Sequence, residues 1–140
     1  MDTDRTRGAT RSVNRTVAVG FGAVYTLVGL AGFLVSDTFV GRTDDLLLGF
    51  MVNNLHNIAH LLIGVALLAA SRTHAAARSA NLAIGVAYLG LAVVGPFLTG
   101  TNANILALNN PDHVLHLLSG ALLTAVAVLA DKSTTARSRV

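Results

Sequence analysis

An all-α integral membrane protein is the fold this sequence predicts: a four-helix bundle built from a tandem, parallel repeat of a two-helix unit. Three observations predict it. The chain of 140 residues is 53% hydrophobic and only 12% charged, too few charges for the polar shell of a soluble domain. Its apolar residues gather into four runs parted by short polar segments. A polar stretch, Asn53-Asn54-Leu55-His56-Asn57-Ile58-Ala59-His60-Leu61-Leu62-Ile63-Gly64, returns 56 residues later as Asn109-Asn110-Pro111-Asp112-His113-Val114-Leu115-His116-Leu117-Leu118-Ser119-Gly120. Four of the five histidines lie in these two copies.

The elements follow in order. Residues 1–13 are polar, Arg-rich and without apolar periodicity, and are expected as a disordered cytoplasmic tail. A transmembrane domain over 14–130 follows, with helices expected at about 17–35, 54–70, 80–98 and 111–130. No charge falls between Val17 and Val35, enough for a hydrocarbon core of roughly 30 Å. Asp37, Arg42, Asp44 and Asp45 return the chain to water, and a basic tail occupies 131–140. Leu46 to Val52 and Ile105 to Leu108 are too short to span and are expected as interfacial turns. Asn53 or Asn54 suits the N-cap of the second helix, and Asn110, followed by Pro111 and Asp112, that of the fourth.

The charges give a direction. Arg5, Arg7, Arg11, Arg15, Arg72, Arg78, Lys132, Arg137 and Arg139 fall on one side of a four-crossing path, and Arg42 alone on the other. The positive-inside rule then places both termini in the cytoplasm of a plasma or inner membrane. With no aromatic or Arg-rich groove between them, these basic residues fit a lipid surface and exclude nucleic acid as the partner. No cysteine is present, so disulfides and thiolate metal sites are excluded.

The repeat extends beyond the polar stretches. Gly22, Tyr25 and Gly32 match Gly85, Tyr88 and Gly95, 63 residues on, so the first loop is seven residues longer than the second. Two crossings per unit make the copies parallel, related by an axis along the membrane normal. Small residues are expected to let the helices pack closely, among them Gly20, Gly22, Gly29, Gly32, Gly85, Gly90 and Gly95.

The four runs, the Asn-x-x-His-Asn-x-x-His-Leu-x-x-Gly pattern from Asn53 to Gly64 and the Asp-x-x-x-His-Leu element from Asp112 to Leu117 together resemble a bacterial family. It is the four-helix membrane proteins catalogued as domain of unknown function family 4383. The resemblance covers roughly residues 15–130 and implies a fold without implying an activity.

The polar layer admits two readings. In the first, Asn53, Asn54, Asn57, His60, Asn109, Asn110 and His116 form a structural cluster that hydrogen-bonds neighbouring helices and loops. The protein is then a non-enzymatic accessory membrane protein, with no cofactor, and with further copies or a larger complex as partners. In the second, His56, His60, His113 and His116, with Asp112 beside them, are candidate metal ligands, or His60 and His116 are the axial ligands of one haem b. His56 and His60 share a helical stripe with Gly64, and His113 and His116 one with Gly120. His60 and His116 are expected to face the interior roughly 9 Å below the outer boundary, with His56 and His113 more exposed. Tyr25 and Tyr88 are expected near mid-membrane, tilted away from the histidines. Below the histidines helices two and four carry no ionisable group, which argues against an ion path. Ser119 and Thr124 have no acid–base partner at matching depth, which argues against nucleophilic catalysis.

Overall fold

A computed structural model describes residues 12–131 of the chain. The helices are α1 (Val13–Gly32), α2 (Asn54–Ala70), α3 (His74–Leu98) and α4 (Asn110–Leu129), with a two-stranded hairpin, β1 (Leu46–Leu47) and β2 (Phe50–Met51), between α1 and α2. α1, α3 and α4 are long and apolar enough to cross a membrane, and α2, at 17 residues, is a shorter apolar helix. Their outward faces carry large apolar side chains: Leu27, Leu62, Phe97 and Leu118 are each more than 60% exposed. Apolar surface on that scale calls for lipid as the solvent.

Most of the expected tails, residues 1–11 and 132–140, lies outside the described residues. Two helices begin earlier than the charge-free windows indicated. Ser12 caps α1, its hydroxyl accepting from the Arg15 amide, and Thr73 caps α3 in the same way through Ala76. Hydropathy marks where lipid begins, whereas caps mark where the helix begins, and the two differ by a turn or more at the basic ends. α1 also closes at Gly32, short of Val35. The cap of α4 is Asn109 rather than Asn110, in a reciprocal box with Asp112, and that of α2 is Asn53.

The stretch expected as an interfacial turn folds as the hairpin, with Leu46 opposite Met51 and Leu47 opposite Phe50. Its two-residue turn holds Leu48 at φ 54° and Gly49 at φ 92°. Two successive positive φ values match the right-handed twist of the strands; glycine adopts that geometry freely, whereas Leu48 adopts it against its side chain.

Packing is closest within the pairs α1–α2 and α3–α4. Where α1 crosses α2, a Cβ added at Gly22 would stand 2.8 Å from the Leu68 side chain and 3.0 Å from the Gly64 carbonyl. Where α3 crosses α4, a Cβ at Gly120 would stand 2.8 Å from the Leu89 amide and 2.9 Å from the Gly85 carbonyl. The Asn57 side chain fills the space above Gly32, and the His113 ring the space above Gly95. Gly20 and Gly90, expected at the same task, face open space. The core between the pairs is Ala18, Tyr25, Leu67, Ala77, Tyr88 and Leu123.

Both ends of the bundle are pinned by hydrogen bonds. At the hairpin end, the Asn53 amide donates to the Gly41 and Ile105 carbonyls (2.9 and 2.8 Å) while its oxygen caps His56. Asn109 donates across to Gly49 at 3.1 Å, so each loop is held by the other. At the opposite end, Asn81 of α3 donates to the backbone and side-chain oxygens of Asn14 on α1, at 3.0 and 3.1 Å. Asn14 in turn donates to Asp131 beyond α4, at 3.0 Å. Burial works to raise the Asp131 carboxyl, but donors from Asn14, Ser12 and Val13 outweigh it and hold the group well below the usual carboxylate range.

Candidate metal centre

Three imidazoles meet beneath the hairpin end of the bundle. His56 and His60 follow one another by a helical turn on α2, and His116 reaches in from α4. One ring nitrogen from each lies within 4.8 Å of the other two. All three side chains are buried, at 2%, 5% and 2% exposure. Among the described residues, neither nitrogen of His60 nor Nδ1 of His116 has a hydrogen-bond partner, and the His56 ring has only the loop backbone of Met51 and Leu106 beside it. Buried polar atoms normally find a partner, because each unmade bond costs about 1–3 kcal/mol.

Aromatic rings enclose the group. The ring centroids of His56 and His60 are 4.4 Å apart, Tyr25 lies 5.2 Å from His60, and Tyr88 lies 4.9 Å from His116. Tyr25 and Tyr88 close the circuit edge to face at 5.5 Å. The tyrosines therefore stand against the histidines, contrary to the expected tilt. The early helix starts explain this. Tyr25 is 12 residues into α1 rather than eight, and Tyr88 is 14 into α3 rather than eight. At 1.5 Å per residue that lifts the rings by roughly 6 and 9 Å, to the histidine layer.

The other candidate ligands do not join. His113 is turned toward α3, where Gly95 makes room for its ring and Thr99 Oγ1 meets its Nε2 at 2.8 Å. Positions three apart on a helix differ by about 60° in direction, which separates His113 from His116. The Asp112 carboxylate accepts from the Asn109 amide at 2.9 Å and serves the cap. Nor are His56 and His113 the exposed pair: they are 2% and 8% exposed. The backbone of Met51 and Leu106 closes over His56 from the loops.

Of the expected polar cluster, Asn53, Asn57, His60 and His116 are buried, whereas Asn110 is exposed. Asn57 and the Asn54 oxygen make no hydrogen bond among the described residues. Three buried asparagines escaped the sequence reading: Asn14, Asn81 and Asn104, the last bridging the Leu108 amide and carbonyl at 2.8 Å. Asn14 and Asn81 carried a usable signal, as isolated amides near the ends of apolar helices.

Residues 15–129 match the family described as domain of unknown function DUF4383, which takes in all four helices almost end to end. The chain belongs to that family. No curated protein and no solved structure matches it. The DUF4383 match includes both polar stretches, and with them all three histidines of the triad.

Proposed function

We propose that this DUF4383 protein holds a transition-metal ion on His56, His60 and His116 and works as a small metal-binding membrane protein. The observation that carries the proposal is the convergence of three buried imidazoles, with both His60 nitrogens and Nδ1 of His116 unpaired among the described residues. A purely structural polar layer would be expected to satisfy those nitrogens, as Asn53 and Asn104 satisfy their amides. Drawing the nitrogens in by about 1 Å brings them to the roughly 2.0 Å bonds of an imidazole site. Haem b fits less well, because the His56, Tyr25 and Tyr88 rings occupy the space a macrocycle between His60 and His116 would need.

The setting belongs to the same reading. α2 crosses with the other three helices, since a layer of lipid-facing side chains surrounds all four. Both termini lie in the cytoplasm, as the nine-to-one division of basic residues supports. The chain is two copies of one helix pair; the matched contacts Gly22–Gly64 and Gly85–Gly120 support this. On this reading the protein binds rather than catalyses.

The test is metal content of the detergent-purified full chain. Wild type should retain close to one ion per molecule, His60→Gln and His116→Gln should retain none, and His113→Gln should match wild type. Equal retention in all four proteins would refute the site.

A further inference from the structure

We propose that the ion the triad takes is monovalent copper, reaching it from the hairpin end past Met51; this rests on the metal-site reading above. The first argument is charge. The three ligands are neutral imidazoles, with neither carboxylate nor thiolate in the group. The acid candidate Asp112 is spent on the α4 cap. Tyr25 and Tyr88 wall the site with aromatic rings and bring no negative charge. The cost of placing an ion in such a medium rises with the square of its charge, so a divalent ion pays about four times what a monovalent one does. A divalent ion on three histidines ordinarily takes a solvent-derived ligand in its open position, whereas all three imidazoles here are buried from solvent. Cuprous copper is the monovalent transition ion that imidazoles bind well, and it accepts three ligands without a fourth.

The second argument is the approach. A cavity of about 400 Å³ opens at the hairpin end between the two loops, lined by Arg42, Thr43, Met51, Thr99, Leu108 and Asn109 among others. Met51 is among the residues that line the cavity, and its backbone lies against the His56 ring. It is the chain's single methionine beyond the first residue. A thioether is a soft ligand that selects cuprous over hard divalent ions. One such residue, lining the cavity and touching His56 through its backbone, would make a stepping point that holds the ion weakly before the imidazoles hold it firmly.

The experiment loads separate samples of the purified full chain with one equivalent of zinc, of cobalt, or of copper under reducing conditions, removes the reductant, and follows metal content and the electron paramagnetic resonance spectrum in air. The expected result is one copper per chain that stays silent in air, lost in His60→Gln and His116→Gln. Bound copper that gives a cupric signal with nitrogen splitting would overturn the monovalent assignment while leaving the metal site standing. Retention of zinc or cobalt without copper would do the same. Failure to retain any of the three ions would overturn both. Met51→Leu, a swap of similar volume, should take up copper several-fold more slowly and reach the same final occupancy. An unchanged uptake rate would overturn the route.

Discussion

Replacing Gly64 with alanine should destabilise the bundle, whereas the same change at Gly20 should stabilise it. The two glycines sit in apolar helices of the same pair, so composition predicts no difference. The structure does. A Cβ at Gly64 would stand 2.5 Å from the Thr26 amide nitrogen and 2.9 Å from the Gly22 carbonyl oxygen, both backbone atoms that cannot rotate away. Ordinary contact needs about 3.5 Å, so α1 and α2 must part by roughly 1 Å along their crossing. Overpacking of that kind costs about 1–3 kcal/mol, and alanine's better helix propensity returns about 1 kcal/mol. A net loss of up to about 2 kcal/mol corresponds to a fall of up to roughly 8 °C in melting temperature for a domain near this size. At Gly20 nothing lies within 4 Å, so only the propensity gain remains. That should raise the melting temperature by roughly 2–4 °C. Thermal unfolding in detergent, followed by circular dichroism, reads both. If Gly64→Ala and Gly20→Ala shift it in the same direction, the close crossing of α1 and α2 is wrong.

Three further outcomes follow from the bundle ends. Asn53→Ala removes three hydrogen bonds of 2.8–2.9 Å and should cost about 2–4 kcal/mol in denaturant unfolding, while Asn54→Ala, whose oxygen is unpaired, should cost far less. The Asp131 carboxyl is held below its ordinary value, so its contribution is complete above an unfolded value of about 4 and is lost as pH falls through the folded one. The melting gap between wild type and Asp131→Asn should accordingly be constant from neutral pH to about pH 5 and close in acid; a gap that widens in acid would reverse the sign. For orientation, a cysteine replacing Asp44 should react with an impermeant reagent added outside intact cells, and one replacing Ala75 should not; the opposite pattern inverts the topology.

Much of the fold was legible because lipid imposes a coarse rule: a charge-free run long enough to span is a helix. That rule located all four helices and set α2 at its observed limits. It misjudged the starts of α1 and α3, where Ser12 and Thr73 cap helices that begin before the lipid does. The same error set the tyrosines too low and hid their contact with the histidines. Helical spacing paired His56 with His60 correctly and His116 with Gly120, since one turn keeps residues on one face. It could not tell that His113 turns into the gap above Gly95, because that depends on where a second helix lies. The burial of His56 depends likewise on a hairpin whose Leu48-Gly49 turn carries no strong sequence signature. The triad is thus a tertiary fact assembled from two helices, α2 and α4, with its third member chosen by packing.

Counting the ligands tests the central claim most directly. Extended X-ray absorption fine structure at the copper edge of the loaded full chain should show about three imidazole nitrogens near 2.0 Å, with the ring scattering that marks histidine. The count should fall by one in His56→Gln, if that variant still retains the ion. A shell of light oxygen atoms without histidine scattering, or an unchanged shell in the variant, would contradict the tri-histidine site.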